Sequence, residues 1–118
     1  MKCLLLVAHG SRRDESNEEV RQLTALLRDK AGERYDFVTC AFLELATPSI
    51  PEGIEACVQA GADTVVVLPY FLSAGRHVSS DIPAEIALKT AEYPALTVTI
   101  APYLGAAAAV PEVLLSLV

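Results

Sequence analysis

The chain contains two histidines, and each one follows a long apolar run. His9 lies in "LLLVAHGSRR", directly after five apolar residues, and His77 lies in "LSAGRHVSSD", soon after "TVVVLPYFL". A neutral imidazole can accept a proton or coordinate a divalent transition metal near neutral pH. The two residues therefore indicate metal coordination, proton abstraction or phosphohistidine formation as the candidate chemistry.

Charged side chains accompany both histidines. Arg12, Arg13 and Arg76 each lie within four residues of one of them, and Glu44 occurs in "FLELATPS" after another apolar run. Guanidinium groups bind carboxylates in a bidentate manner, whereas a carboxylate can accept a proton or balance the charge of a metal ion. Two plainer interpretations stay open: Glu44 could cap a helix or pair with an arginine, and the arginines could be solvated loop charges.

Four apolar runs of strand length, residues 2–8, 35–42, 63–70 and 96–101, alternate with four stretches of helical periodicity. This rhythm predicts an α/β protein, a three-layer α/β/α sandwich around a four-stranded parallel sheet. The first and third runs are almost wholly apolar, as central strands covered on both faces are, whereas the other two include polar residues typical of edge strands. The strand order 2-1-3-4 satisfies both observations with right-handed crossovers.

The predicted helices lie between and after these strands. The first spans residues 14–31, and the second begins in "TPSIPEG", with Thr47 as its N-cap, and ends at Gly61. The third begins near Ser79 or Ser80 and stops before Pro94. The fourth runs from about residue 105 to residue 118, and its apolar end is expected to need cover.

A parallel sheet brings the carboxyl ends of its strands to one edge, and ligands bind there at the point where the strand order reverses. In the order 2-1-3-4 that point lies between the first and third strands. His9 follows the first strand, Glu44 the second, His77 the third and Tyr103 the fourth. The sequence therefore predicts one site at this edge, built around both imidazoles.

The composition of the chain restricts the kinds of partner and the cellular location that the sequence predicts. A net charge of −6 argues against nucleic acid as a partner, and no apolar stretch is long enough to predict a membrane span. Cys3, Cys40 and Cys57 show no CxxC spacing and are expected to be buried, reduced thiols. These features, with the absence of a signal-peptide pattern, predict a single cytoplasmic domain over residues 1–118.

Three ordered motifs, "LLLVAHGSRR", "AFLELATPSIPEGI" and "VVVLPYFLSAGRHVSSDIP", resemble those of the small class II chelatases. These are the sirohydrochlorin chelatases of cobalamin, sirohaem and nickel-tetrapyrrole biosynthesis. The resemblance covers nearly the whole chain. It implies a ferrochelatase-like fold and a lyase that inserts Co²⁺, Fe²⁺ or Ni²⁺ into sirohydrochlorin. The metal would then be a substrate, and no tightly bound cofactor is implied.

The resemblance also implies roles for the residues. His9 and His77 would be the metal-handling and proton-handling histidines, with Glu44 as the acid beside them, and the three arginines suit the carboxylate arms of sirohydrochlorin. The other predicted substrate contacts are Ser11, Ser79, Leu72 and Tyr103, with Phe71 part of the same apolar wall. Because larger chelatases resemble two such domains in one chain, a single-domain member is expected to work as a homodimer with the site near its two-fold axis.

Rival interpretations remain. A phosphohistidine-type phosphatase or mutase also has a His-Gly pair after its first strand, but it needs an arginine before the histidine, where this chain has Ala8. A non-catalytic metal-binding domain would bind Co²⁺ or Ni²⁺ through both histidines without turnover. A receiver-type domain fits less well, because no acidic pair follows the first strand. The chain has no GxGxxG, Walker or GxSxG motif to suggest nucleotide binding or a serine hydrolase.

Overall fold

Strands and helices alternate along the whole chain in the computed structural model, which describes all 118 residues. The strands are β1 (Lys2–Ala8), β2 (Phe37–Phe42), β3 (Thr64–Pro69) and β4 (Thr97–Ile100). The helices are α1 (Asp14–Ala31), α2 (Ile50–Gln59), α3 (Ile82–Glu92) and α4 (Val110–Leu115). Short 3₁₀ turns cover Gly32–Arg34 and Leu104–Ala106, and a π-helical turn covers His77–Asp81.

The four strands form one parallel sheet in the order β2-β1-β3-β4, which confirms the predicted topology. Leu6 in β1 pairs in register with Cys40 of β2 on one side and with Leu68 of β3 on the other. The two continuously apolar runs are thus the central strands, as their composition predicts. The switch point between β1 and β3 lies where His9 leaves the sheet.

Helices cover both faces of the sheet. Alternate residues of the central strands point to opposite sides, and because these strands are apolar throughout, both faces need cover. On one face, the largest core cluster joins Leu5 and Val67 of the sheet to Ile54 of α2 and to Ile82 of α3. On the other face, α1 packs over β1 and β2 through smaller clusters. This arrangement is the predicted α/β/α sandwich, and it directs every strand's carboxyl end toward the same edge.

Helix ends are where the structure corrects the sequence predictions. Ser49, and not Thr47, is the N-cap of α2: its side chain accepts from the Glu52 amide while the Glu52 carboxylate accepts from the Ser49 amide. A serine with glutamate three residues later is the pattern of a capping box, which favours this start over the one at Thr47. The helical segment before α3 begins at residue 75, ahead of the predicted start at Ser79 or Ser80.

The last predicted helix is much shorter than expected. Only Val110–Leu115 is α-helical, after the 3₁₀ turn, and none of its residues is buried. Pro111 suits the first turn of a helix but ends any helix that would run through it from residue 105, which explains the late start. No helix of the chain has the length and apolar character that crossing a membrane requires.

Candidate active site

His9 is the first residue after β1, and a close contact between two loops brings Glu44 to it. The backbone amide of Glu44 donates to the His9 carbonyl at 3.0 Å, and the Leu43 amide donates to the Ala8 carbonyl at 2.9 Å. Gly10 makes this approach possible, since its φ is +94° and a Cβ there would stand 1.8 Å from the Glu44 carbonyl oxygen. As a result, His9 Nε2 lies 3.0 Å from Glu44 Oε1.

His77 begins the π-helical turn that leads into α3. Its Nδ1 lies 2.8 Å from Asp81 Oδ2, four residues further on. Because an ionised carboxylate only accepts hydrogen bonds, Nδ1 is the donor side of this contact, and a neutral ring would then have its lone pair on Nε2. The buried Ile82 follows Asp81 directly and anchors this end of α3 in the core.

The two imidazoles face each other across the switch point. Their ring centroids are 4.7 Å apart with the planes tilted by 35°, and the centroid of the Phe71 ring lies 6.4 Å from that of His77. Both rings are about half exposed, at 48% for His9 and 44% for His77. The topology thus unites two residues that are far apart in sequence, as the shared sheet edge predicts.

A cleft of about 220 Å³ lies beside this pair. Its lining residues are Leu43, Glu44, His77, Asp81, Ala84 and Glu85. No group of three or more histidine, cysteine or carboxylate side chains in the structure is arranged to hold a metal ion. The site consists of two acid–imidazole pairs, which can accept and pass on protons and offer imidazole nitrogen to an incoming ion.

The arginines lie on exposed segments next to the histidines. Arg13 Nε is 3.8 Å from Glu15 Oε2, while Arg12 and Arg76 form no ion pair. None of the three forms an ion pair or hydrogen bond with an imidazole or with Glu44, so the pairing of Glu44 with an arginine is wrong, as is its capping of α2, which Ser49 caps. Their guanidinium groups are open to solvent and to a ligand.

The side chains of the two predicted serines, Ser11 and Ser79, form hydrogen bonds with backbone atoms. Ser11 Oγ accepts from the Arg13 amide, and the Ser79 hydroxyl donates to the Gly75 carbonyl at 2.7 Å. The buried side chain of Asn17 holds the first of these loops, since it accepts from the Ser11 amide and donates to the Ser11 carbonyl. Both serines thus do what turn residues do, and their predicted contact with substrate stays a prediction.

The predicted apolar wall is divided between two surfaces. Leu72 is 78% exposed and shares a small hollow with Phe71, near His77. Tyr103 instead lines a larger apolar groove of about 660 Å³ between α1 and the end of β4. Gly105 holds the two loops together, because its amide donates to the Phe71 carbonyl and a Cβ would stand 1.8 Å from the Leu72 carbonyl oxygen.

Sequence reasoning missed Asp81, Asn17 and the role of Gly10. The sequence predicts a third helix that begins after His77. His77 and Asp81 were therefore not expected to lie in the same helical segment, where a spacing of four residues brings two side chains together. Asn17 interrupts the apolar stripe of α1 at a core-facing position, and that interruption was a usable signal. The contact of Gly10 with Glu44 joins two loops that are 34 residues apart, and no local pattern predicts it.

A parallel α/β sandwich with two facing imidazoles at its switch point agrees with the fold and site that the resemblance to the small class II chelatases implies. A family model described as CbiX matches residues 3–118. The chain belongs to the CbiX family, as its three motifs predicted.

Relatives carry names that agree with this family. The chain is 41% identical over 102 residues to a chloroplastic sirohydrochlorin ferrochelatase of Arabidopsis thaliana, a match that covers 86% of this chain and 44% of that protein. It is 40% identical over 83 residues to a sirohydrochlorin cobaltochelatase of Methanococcus maripaludis, a match that covers 70% of this chain and 56% of that protein. The chain spans about half the length of the curated relatives it matches.

Solved structures show the same fold. A CbiX protein of Marinobacter aquaeolei VT8 superposes with a TM-score of 0.78 at 29% identity, over 99% of this chain and 91% of that one. The sirohydrochlorin chelatase SirB of Bacillus subtilis subspecies spizizenii, in complex with cobalt, gives a TM-score of 0.80 at 32% identity. The match covers 86% of this chain and 43% of that one.

Proposed function

We propose that this chain inserts a divalent metal, Co²⁺, Fe²⁺ or Ni²⁺, into sirohydrochlorin. The observation that carries the proposal is the facing pair His9 and His77, each with its own carboxylate, at the switch point of the sheet. The names of the ferrochelatase and cobaltochelatase relatives, and the cobalt complex of SirB, support the same chemistry. All three ions accept imidazole nitrogen as a ligand.

Insertion removes two pyrrole protons and strips water from the ion. His9 is suited to take the two protons in turn, because Nδ1 can accept a pyrrole proton while Nε2–H passes its own to Glu44 Oε1, 3.0 Å away. The half-exposed Glu44 releases each proton to solvent before the next transfer. His77 keeps an unpaired nitrogen that can meet the metal. Arg12, Arg13 and Arg76 bind the carboxylate arms, which offsets the acidic net charge of −6 near the anionic substrate.

The direct test is an absorbance assay of the purified protein with sirohydrochlorin and each metal separately. At least one metal is expected to enter the macrocycle faster than without protein, and His9→Ala or His77→Ala should each slow insertion by about 100-fold or more. Arg34→Ala, at the opposite edge of the sheet, is the control and should retain the rate. Protein-free rates with all three metals would overturn the proposal, and Co²⁺ binding without turnover would identify a non-catalytic metal-binding domain.

We also propose that two copies pair through their apolar C-terminal surfaces. Four side chains after Val113 are more than half exposed: Leu114, Leu115, Leu117 and Val118. The apolar groove beside α1 has room for such side chains, and it is not filled by α4 of the same chain. A two-fold pairing that places each tail in the partner's groove would cover both apolar surfaces at once.

We further propose a reducing location such as the cytoplasm. Cys3, Cys40 and Cys57 are buried free thiols, and Cys3 and Cys57 contact each other in the core. Burial raises the pKa of the Cys57 thiol to about 12, which keeps it protonated and unreactive. Alkylation of denatured protein from cells should find all three thiols free, and an isolated Cys3–Cys57 disulfide would contradict the proposal.

A further inference from the structure

The contact of Asp81 with His77 is the one acid–imidazole contact of the site that meets hydrogen-bond geometry. Asp81 Oδ2 lies 2.8 Å from His77 Nδ1. The contact between His9 and Glu44 uses the other ring nitrogen, Nε2, at 3.0 Å. The two imidazoles thus face their carboxylates through different atoms, which leaves Nδ1 of His9 and Nε2 of His77 without a carboxylate partner.

A purely structural role for Asp81 does not account for this contact. Asp81 stands at the N-cap of α3, yet its side chain makes no capping hydrogen bond. The carboxylate instead turns back along the π-helical turn to His77, its one hydrogen-bond partner. Ile82, which follows it, is fully buried in the core, so the backbone that bears Asp81 is anchored at the start of α3.

We propose that Asp81 is a positioning residue, which fixes His77 as the Nδ1–H tautomer and points the Nε2 lone pair at the incoming metal. The inference rests on the proposed function for its metal, but the tautomer itself is a property of the chain alone. A carboxylate behind a ligating imidazole orients the ring and raises its basicity. The two histidines then have different roles. His77, whose ring Asp81 orients, binds the metal, and His9 with Glu44 relays the proton.

The first test measures the tautomer without turnover. The long-range ¹⁵N–¹H spectrum of His9→Gln protein, in which His77 is the one remaining histidine, is recorded at about pH 9, where imidazole is neutral. The Nδ1–H form of His77 is expected. Adding Asp81→Asn should shift the ring to a mixture with the commoner Nε2–H form, while Glu85→Gln, in the same cleft, should change nothing. An Nε2–H ring in the parent protein would overturn the proposal.

The second test separates positioning from folding and from the proposed function. In the otherwise unaltered chain, Asp81→Asn should lower kcat/KM for the metal by about 10- to 100-fold, with the KM for sirohydrochlorin and the melting temperature unchanged. Asp29→Asn, at an exposed position in the last turn of α1, is the matched control and should keep all three values. Equal activity of Asp81→Asn and the parent would overturn the role of Asp81, whereas an inactive parent with the expected tautomer would overturn the proposed function alone.

Discussion

Each imidazole of the site has a carboxylate within hydrogen-bonding distance, and the two pairs are built differently. His77 and Asp81 belong to one helical turn, so their contact is local. His9 and Glu44 come from loops after neighbouring strands and meet only when the sheet has formed. At the residue scale, one pair is therefore pre-formed by helix geometry and the other depends on tertiary packing.

The arginines allow a prediction at the same scale. Replacing Arg76 with Ala should raise the KM for sirohydrochlorin by about fivefold, because an exposed guanidinium–carboxylate contact contributes about 1 kcal/mol. The effect should diminish at high salt, since exposed charges are screened. Steady-state kinetics at two ionic strengths measure both values, with Arg34→Ala as the control. If Arg12, Arg13 and Arg76 could each be removed without a change in KM, they would be ordinary surface charges.

At the scale of elements, glycines decide how closely the loops of the site approach each other. Gly10 and Gly32 both have positive φ, but only a Cβ at position 10 would meet another atom. Gly10→Ala is therefore expected to push Glu44 away from His9 and to lower activity by about 100-fold, as small displacements of reacting groups do. Gly32→Ala carries backbone strain without the clash, so it should cost about 1 kcal/mol of stability and keep its activity.

Chemical denaturation and the metalation assay together check this pair of variants. Gly10→Ala, which adds the clash to the backbone strain, is expected to lose more stability and far more activity than Gly32→Ala. Equal activities for the two alanine variants would show that the loop contact at Gly10 has no role in the site.

The contact between α2 and α3 includes an ionic cluster whose pH dependence can be derived. Hydrogen bonds from Gln59, Lys89 and Tyr93 lower the pKa of Glu55 from 4.5 to about 2. The unfolded chain therefore takes up a proton first as the pH falls, and the stabilisation by Glu55, complete above about pH 5, is lost between there and pH 2. Glu55→Gln should lose less stability over this interval than the parent does.

Urea unfolding at about pH 7 and about pH 3 measures the difference, with Glu33→Gln, outside this cluster, as the matched control. The control should follow the parent at both pH values. Identical losses for Glu55→Gln and the parent would show that the cluster does not stabilise the ionised carboxylate.

At the scale of the whole molecule, the apolar tail predicts a dimer. Sedimentation at micromolar concentration should show two copies, and Leu114→Glu with Leu117→Glu should give a monomer, because charges cannot be buried in the partner's apolar groove. Glu33→Gln serves as a surface control that should stay dimeric. A stable and fully active monomeric parent would contradict the prediction.

If the two subunits of the dimer share one active-site cavity, a second experiment can test the pairing. Mixing a His9→Ala chain with a His77→Ala chain should restore part of the activity if both subunits contribute imidazoles to one site. Recovery is expected only after the subunits exchange, so it should depend on incubation time. If the mixture stays as inactive as each variant, each subunit has a complete site of its own.

The sequence by itself determined the strand order, the covered faces and the shared edge of the two histidines. Those properties follow from local periodicity and from the rule that parallel strands end together. The contact of His9 with Glu44 and the lack of any buried residue in α4 were decided by the tertiary structure. They depend on how closely two loops approach and on which surface remains uncovered, and these are set by packing between segments that are distant in sequence.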